Sequence, residues 1–386
     1  MRRNIFEYDN EVANNFAKRA QRTWSAAVQL QAHPFQESDP MKICVVGAGS
    51  IGGLLGVKLA LAGHEVTLIA RGANLAAIKA NGMQLHMHDG SVLVARDVHA
   101  TERIAEAGPQ DIVILGMKAH QVEPIVGELP ALYHDQTVIL PMQNGIPWWY
   151  FQRHGGLHEG KVVASVDPTG RIAAGIDPQR LLGCVVYPAA EITAPGVIRH
   201  IEGERFPVGE PDGSESERVI RISEMFIRAG LKSPVLTQVR AEIWLKLWGN
   251  LSFNPISALS HSTLADICQF PLSRELAASM MREAESVATK LGVTFRVSLE
   301  RRIAGAEKVG KHKTSMLQDV EAGRDPEVDA LLGAVIELGR VTGTPTPHLS
   351  AIFALVKLLG RTITEERVSI RAEPRVPVAA PVALTT

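Results

Sequence analysis

The stretch "KICVVGAGSIGGLLGVKLALAGHEVTLIAR", residues 42–71, decides the fold of this chain. An apolar run at 43–46 precedes a glycine-rich turn, and an apolar segment at 51–62 ends at Gly63 before a second β-branched run at 66–70. This order predicts a strand, a helix and a second strand, which together form a βαβ unit. Strands that are apolar on both faces are typical of a parallel sheet covered by helices.

The turn reads "GAGSIG" and fits the GxGxxG pattern of dinucleotide-binding folds. Gly47 permits a tight turn, Gly49 lets a pyrophosphate approach the backbone, and Gly52 lets helix and strand pack closely. The first N–H groups of the following helix are free to donate to phosphate oxygens. The predicted cofactor-binding residues here are Gly47, Ala48, Gly49, Ser50, Ile51 and Gly52. The alternative is a structural turn in another α/β fold, such as a methyltransferase.

The residues that follow the second strand of this unit indicate which cofactor binds. NAD sites usually place Asp or Glu here to bond the ribose hydroxyls, whereas this chain has Ala70 and Arg71. A guanidinium matches a phosphate better than a hydroxyl. Arg71 therefore favours NADP(H), and the alternative is a solvated arginine at the start of the next helix.

Composition excludes several classes of function. The chain has 386 residues, 46% of them hydrophobic and 21% charged, with a formal net charge of −1. A charge this close to zero predicts no binding to nucleic acid or to an anionic membrane surface. No apolar run approaches the roughly 20 residues that a membrane span needs. The 3 cysteines form no CxxC and the histidines no HExxH, so we expect a cytoplasmic protein without a metal site.

Strand and helix patterns are segregated along the chain. Further strands are predicted around a hairpin at Asp89-Gly90 and at 111–118, 137–145, 162–167, 183–192 and 196–201. The patterns then become helical from Val239 onwards. We therefore predict an irregular extension, a Rossmann-type α/β domain, an all-α substrate domain with its own core, and a disordered tail, at residues 1–40, 41–237, 238–363 and 364–386.

The segment "EIWLKLWGNLSFNP", residues 242–255, is apolar except at every fourth position. Glu242, Lys246, Asn250 and Asn254 share one helix face through this spacing. A lysine can give a proton to a developing alkoxide, and amides can orient a substrate without adding charge. We interpret Lys246, Asn250 and Asn254 as a catalytic face aimed at the nicotinamide, and the alternative is an ordinary polar contact with the other domain.

Two motifs carry a resemblance to a known family. "RAEIWLKLWGNLSFNPISAL", at 240–259, and "KTSMLQDVEAGRDPEVD", at 313–329, are similar to motifs of the ketopantoate reductases, and the similarity covers nearly all of residues 41–360. The resemblance implies a Rossmann-type domain, an all-α domain and NADPH-dependent reduction of a small 2-oxo acid. It implies that Lys246 is the general acid and that the substrate contacts Asn250, Asn254, Ser315 and Glu327. It also places Lys118 and Asn144 near the nicotinamide, with Asn144 in reach of the substrate, and Arg71 at the 2′-phosphate.

Each implied role has a plainer alternative. Lys118 and Asn144 follow predicted strands and could be ordinary polar loop residues. Ser315 could be the N-cap of the helix that begins with "MLQDVEAG". Glu327 could be an acid in the first turn of the next helix, where the helix dipole favours it.

The segment after Asn144 departs from the family pattern. It reads "IPWWYFQRHGG", with aromatic residues at 148–151 that could reshape a substrate cleft or simply anchor the next helix. The expected activity is reduction of ketopantoate to pantoate in pantothenate and coenzyme A synthesis, and a homodimer is compatible with it. The alternatives are a paralogous reductase of another 2-oxo acid and a non-catalytic redox sensor that binds NADP.

Overall fold

The structure is a computed structural model that describes residues 39–372, and the structural statements below concern those residues. The predicted N-terminal extension lies almost wholly outside the described residues, and so does the part of the predicted tail after residue 372.

The strands are short and fall where the apolar runs predicted most of them. Their bounds are β1 Lys42–Val46, β2 Glu65–Ile69, β3 Met83–His86, β4 Val92–Ala95, β5 His99–Thr101, β6 Ile112–Leu115, β7 Val138–Pro141, β8 Gly183–Cys184, β9 Ala189–Ala194, β10 Val197–Glu202 and β11 Val208–Gly209.

The helices dominate the second half of the chain, as predicted. Their bounds are α1 Ser50–Leu61, α2 Gly72–Asn81, α3 Arg171–Gly175, α4 Glu217–Arg228, α5 Val239–Ser260, α6 Leu264–Gln269, α7 Pro271–Lys290, α8 Leu299–Lys308, α9 Ser315–Glu321, α10 Ala334–Thr342 and α11 Pro347–Glu366. A π-helical turn, Asp329–Gly333, leads into α10.

The main sheet confirms the predicted Rossmann-type α/β fold. Its five strands are parallel and run in the order β5-β2-β1-β6-β7. This order reverses direction at β1, and ligands of open α/β sheets bind at such a switch point. Val46 is in register with Ile69 on one side and with Leu115 on the other, so the segments after β1, β2 and β6 leave the sheet at one edge.

A second sheet lies beside the first and confirms the predicted hairpin. Strands β3 and β4 pair antiparallel around Gly90, which has a φ of +86°. Strand β10 adds in parallel to β3, and β9 pairs with β10 through a turn at Pro195-Gly196.

The hydrophobic core does not divide where the two predicted domains meet. Side chains alternate along β1, so that Cys44 and Val46 belong to one cluster, whereas Ile43 and Val45 belong to the other. The cluster that contains Val46 continues through Trp149 into the buried residues of α5, α7 and α10. The expectation of a separate core for the helical segment is therefore wrong, because one cluster of buried side chains continues from the sheet through residues 148–151 into the helices.

The predicted strand at 162–167 is a series of turns instead. The Glu337 carboxylate accepts hydrogen bonds from the Ala164 and Ser165 N–H groups, at 2.8 and 2.7 Å. Asp167 is fully buried, and its carboxylate accepts from two N–H groups in the first turn of α3, at 3.2 and 2.9 Å. The β-branched pattern at this point reflects burial of Val163 and Val166 in the core rather than pairing in a sheet.

The predicted strand at 183–192 is also interrupted. Strand β8 ends at Cys184 and β9 begins only at Ala189. Pro188 lacks the N–H that a continuous ladder needs. The interruption leaves the Val186 carbonyl free to accept a hydrogen bond from a side chain.

Residues 364–372 do not form the beginning of a disordered tail. Helix α11 continues to Glu366, and the Ile370 N–H then donates to the Val320 carbonyl at 3.4 Å. The Arg371 guanidinium donates to the Glu321 carbonyl at 2.8 Å. Contacts with a segment about 50 residues away hold this stretch, and its own composition contains no sign of them.

The aromatic residues 148–151 fill the core. All four are at most 3% exposed, and the Tyr150 hydroxyl accepts a hydrogen bond from the Trp244 indole at 2.7 Å. Arg240 donates to the Tyr150 carbonyl at 2.7 Å. Pro147 and Trp149 also line the pocket around Lys246, but burial of all four aromatic side chains indicates that the main role of this segment is to fill the core beside α5.

Candidate active site and cofactor cleft

A cleft of about 660 Å³ lies at the edge where the parallel strands end. Its walls come from the glycine turn, from the segment after β2, from the 3₁₀ helices after β6, and from the β9–β10 turn. Gly47, Ala48, Gly49 and Arg71, all predicted cofactor residues, line it.

In the glycine turn, packing within the protein explains two of the three glycines but not the third. Gly47 has a φ of +100°, and a Cβ on Gly52 would lie 2.1 Å from the Gly47 carbonyl oxygen, so the protein itself requires both. A Cβ on Gly49 would meet nothing closer than 3.9 Å. The protein therefore does not need glycine at this position, but a phosphate group lying against the backbone would.

The N-terminus of α1 fits the same group. No side chain caps the helix at Gly49, although a serine, threonine or aspartate is usual at this position. The N–H groups of Ser50, Ile51 and Gly52 therefore remain available to an anion. The donor set matches a dinucleotide pyrophosphate.

Arg71 stands at the mouth of the cleft. It follows β2, it is exposed, and it is also the N-cap residue of α2, so the structural alternative holds beside the functional one. Within residues 39–372 it forms no ion pair. Its guanidinium is thus free to meet a 2′-phosphate.

Asn74 is a cleft residue that the sequence did not single out. Its side-chain N–H donates to the Ala48 carbonyl at 2.9 Å, and its oxygen accepts from the Gly196 N–H at 2.8 Å. It therefore joins the glycine turn to the β9–β10 turn. The partners lie 26 and 122 residues from Asn74, too far for any local pattern to reveal them.

Lys246 lies on α5 beneath the strand edge. Its ammonium group donates to the Asn144 side-chain oxygen and to the free Val186 carbonyl. The Lys246 Nζ also lies 5.8 Å from the centre of the Tyr187 ring. Part of the side chain is exposed, but burial of the ammonium end lowers the pKa of Lys246 to about 8.

Cys184 borders the same pocket as Lys246. Burial raises the pKa of the Cys184 thiol to about 12, although the nearby lysine opposes this shift. The thiol is therefore neutral near neutral pH and does not act as a counter-ion of Lys246.

The loop after β7 connects both halves of the site. Gln143 donates to the Leu115 and Met117 carbonyls at 2.8 and 2.9 Å, which fixes the ends of β6 and β7 against each other. The Ile146 N–H donates to the Ala330 carbonyl at 2.8 Å. Asn144 lies between these two hydrogen-bonded residues. It is exposed, and its side-chain oxygen accepts the hydrogen bond from Lys246. Gln143 was not predicted, because its partners are defined by the sheet.

The predicted substrate residues line one small pocket beside Lys246. Asn254 donates to the Ser315 hydroxyl at 3.5 Å, which brings α5 and α9 together. The pocket is lined by Asn144, Asn250, Asn254, Ser315, Met316, Asp319, Glu327 and Leu331. Asn144 and Asn250 also line the pocket around Lys246, so the two pockets adjoin.

Two of the plainer alternatives do not hold. Thr314, not Ser315, is the N-cap of α9, because its hydroxyl accepts from the Leu317 N–H at 3.3 Å. Glu327 precedes the π-helical turn, whose first acidic residue is Asp329. Neither Ser315 nor Glu327 is therefore explained by capping.

Acidic and basic groups lie close together beside the pocket that Asn254 and Ser315 line. Burial raises the pKa of Glu327, Asp319 raises it further, and Lys118 and His120 oppose the shift. The Lys118 Nζ lies 3.8 Å from the Asp319 carboxylate and not in the wall of the nucleotide cleft. Asp319 was not predicted from the sequence. It draws Lys118 toward the pocket that Asn254 and Ser315 line.

Glu242, the first member of the polar face on α5, is structural. It is 4% exposed and pairs with Arg205 at 2.6 Å and with Arg296 at 2.9 Å. The Tyr187 hydroxyl donates to it at 2.7 Å. Glu242 therefore fixes the ring that lies against Lys246.

No group of three or more metal-binding side chains occurs within residues 39–372. None of the helices in that range is both long and apolar enough to cross a membrane.

Comparison with known proteins identifies the relatives of this chain. Two family models match, "Ketopantoate reductase PanE/ApbA" at residues 43–213 and "Ketopantoate reductase PanE/ApbA C terminal" at residues 238–360. A 2-dehydropantoate 2-reductase of Mesorhizobium japonicum is 52% identical over 320 residues, which are 83% of this chain and 98% of that protein.

Solved structures share the architecture. A Ralstonia solanacearum structure, provisionally named a ketopantoate reductase, is 38% identical with a TM-score of 0.80 and covers 84% of this chain and 99% of its own. A D-mandelate dehydrogenase solved with NADH and anilino(oxo)acetate has a TM-score of 0.72 at 21% identity, covers 84% of this chain and 99% of its own, and shares the fold.

Proposed function

The chain belongs to the ketopantoate reductase family, and from that premise we propose that it reduces ketopantoate to pantoate with NADPH, in pantothenate and coenzyme A synthesis. The observation that carries the proposal is that residues distant in the sequence meet at one pocket. Residues from the sheet edge, α5 and α9 enclose one pocket beside a buried lysine whose pKa is about 8.

Lys246 is the proton donor in the proposed reaction. A bound reduced nicotinamide supplies the hydride that turns the substrate carbonyl into an alcohol. Two N–H bonds of the Lys246 ammonium are held by Asn144 and Val186, which leaves the third for the carbonyl oxygen. With a pKa of about 8 the group is charged near neutral pH, yet it releases its proton more readily than a solvated lysine.

The substrate pocket holds the remainder of a 2-oxo acid. The carboxylate of the substrate would accept hydrogen bonds from Asn250, Asn254 and Ser315. These side chains are uncharged, so they add no second positive charge beside Lys246. Glu327 accepts a hydrogen bond from the hydroxyl group at the other end of ketopantoate. Burial and Asp319 raise the pKa of Glu327, and Lys118 opposes this shift.

The cofactor cleft is the proposed site of NADPH. The uncapped N-terminus of α1 takes the pyrophosphate and Arg71 takes the 2′-phosphate. A cytoplasmic location suits the described cysteines, Cys44, Cys184 and Cys268, which are all free thiols. Assembly as a homodimer stays a prediction, which light scattering on the purified protein would test.

The decisive experiment is NADPH oxidation across a panel of 2-oxo acids. Ketopantoate should give the highest kcat/KM, and aromatic or unbranched 2-oxo acids should give much lower values. The Lys246→Ala variant controls for contaminating reductases. Preference for a different 2-oxo acid would retain the mechanism and overturn the substrate, whereas no oxidation with any acid would overturn the activity.

A further inference from the structure

Two strands of the main sheet end side by side at the nucleotide cleft. Strands β2 and β5 are parallel, with Ile69 opposite Thr101. The Ala70 N–H extends this pairing by donating to the Thr101 carbonyl at 3.0 Å. By this register Glu102 is level with Ala70, the residue before Arg71.

Glu102 and Arg71 both line the cleft, and both are exposed. In the part of the chain that the structure describes, neither side chain forms a hydrogen bond or an ion pair. Their neighbours behave differently, because Arg103 and Glu106 pair with each other. The cleft thus presents a carboxylate and a guanidinium that are both free for a ligand.

Glu102 and Arg71 favour different groups at the adenosine ribose of a dinucleotide. A carboxylate at a strand end beside the glycine turn accepts hydrogen bonds from the hydroxyls of an adenosine ribose. The sequence has no acid after β2, but the sheet places one on the adjacent strand, about 4.8 Å away in strand spacing. That carboxylate repels a 2′-phosphate, which the Arg71 guanidinium attracts.

We propose that Glu102 is a specificity-determining residue of the nucleotide cleft, which accepts a hydrogen bond from the adenosine ribose and supports binding of NADH against the preference that Arg71 creates. The inference rests on the dinucleotide site of the proposed function. It adds that cofactor selection is set by two residues on neighbouring strands, so that NADH also binds the wild-type protein.

The test measures dissociation constants of NADPH and NADH by calorimetry, without substrate, for the full-length wild type and for Glu102→Ala, Glu102→Gln and Glu128→Gln. Glu102 has no partner to lose, so folding should be unaffected. Glu128 is the matched control, because it is another exposed acid that lines the same cleft, on a different segment. Glu102→Gln removes the charge but keeps an acceptor oxygen.

For Glu102→Ala, we expect the ratio of the NADH to the NADPH dissociation constant to rise roughly tenfold, since a hydrogen bond to a charged acceptor is lost. Glu102→Gln should tighten NADPH binding while retaining part of the NADH affinity. Glu128→Gln should leave the ratio unchanged.

Three results would overturn the proposal. They are an unchanged ratio in Glu102→Ala, an equal change of ratio in Glu128→Gln, and a wild type that does not bind NADH. A wild type that binds neither nucleotide would also remove the nucleotide site itself. A wild type that binds both but fails to reduce ketopantoate would leave this inference standing and refute only the proposed substrate.

Discussion

At the scale of single residues, burial changes what Lys246 can do. A solvated lysine holds its proton too tightly to be a good acid near neutral pH. The polar groups around Lys246 accept its N–H bonds but carry no charge, and desolvation lowers its pKa to about 8. The lysine is therefore still protonated near neutral pH and able to release the proton.

The first prediction concerns Lys246→Ala. We expect kcat to fall by about 10²–10⁴-fold with little change in the NADPH dissociation constant, because the lysine acts on the carbonyl and not on the pyrophosphate. In the wild type the rate of reduction should decline as the pH rises through about 8, the pKa of Lys246, and this limb should be absent from the variant. Steady-state kinetics across pH measure both.

Lys232→Ala is the matched control for this variant. Lys232 is exposed, and within the described range its side chain pairs with Glu204 alone, at 3.4 Å, so kcat should stay near the wild-type value. A Lys246→Ala enzyme with near-normal kcat on its best substrate would show that the polar face of α5 is structural.

The second prediction concerns Arg71→Ala. The NADPH dissociation constant should rise by about 10-fold or more, because a charge-assisted hydrogen bond contributes on the order of 1.5–3 kcal/mol. The NADH dissociation constant should change little, since that cofactor has no 2′-phosphate. Equal weakening of both cofactors in a titration would refute the assignment of Arg71.

At the scale of elements, the glycine turn is shaped by the space available for side chains, whereas the loop before α3 is held by hydrogen bonds to its N–H groups. In the turn, packing within the protein excludes a side chain at Gly52, whereas only a ligand excludes one at Gly49. In the loop, Glu337 of α10 supplies the hydrogen bonds that a strand would have made.

The third prediction separates the two glycines. Gly52→Ala should lower the free energy of unfolding by about 1–3 kcal/mol, because its Cβ would overlap the Gly47 carbonyl. Gly49→Ala should leave the free energy of unfolding nearly unchanged but weaken NADPH binding. Urea denaturation and cofactor titration measure the two effects, and an unstable Gly49→Ala protein would contradict the reading of the turn.

The fourth prediction concerns Glu337→Ala. Removing the carboxylate leaves the Ala164 and Ser165 N–H groups without their partner, which should cost about 1–3 kcal/mol of unfolding free energy. Glu365→Ala is the control, because Glu365 makes an exposed pair with Arg361 on a single helix and should matter little. Comparable loss in both variants would mean that the loop is not held by Glu337.

At the scale of the whole molecule, one core extends from the sheet into the helices. It includes Trp148 and Trp149 on the sheet side and Trp244 and Trp248 on α5. Such a shared core leaves neither half able to bury its apolar face alone. The pocket around Lys246 lies on the same junction, because Asn144 comes from one half and Lys246 from the other.

The fifth prediction follows from this shared core. Thermal or urea unfolding of the full chain should be one cooperative transition, with the same midpoint by circular dichroism and by tryptophan fluorescence. A fragment that ends at residue 237 should expose the Trp149 cluster and aggregate. Two separated transitions would instead support the independent domains that the sequence pattern predicted.

The sequence alone determined the features that depend on neighbours in the chain. The pattern of apolar residues predicted β1, α1 and β2, and the GxGxxG pattern predicted the turn between them. A spacing of four residues placed Lys246, Asn250 and Asn254 on one helix face. Two motifs were enough to identify the family, which the comparisons confirm. Such features are readable because a helix or strand repeats its geometry over a few residues.

Tertiary structure alone decided the features that depend on distant partners. Asn74 bonds to Gly196 across 122 residues, and Glu337 holds by hydrogen bonds a segment that the pattern predicted to be a strand. Glu102 lines the same cleft as Arg71 because β5 pairs with β2. The pKa of Lys246 likewise depends on burial among residues that are distant in the sequence, among them Asn144 and Val186. Desolvation and side-chain pairing are properties of the assembled surfaces, so no local pattern in the sequence contains them.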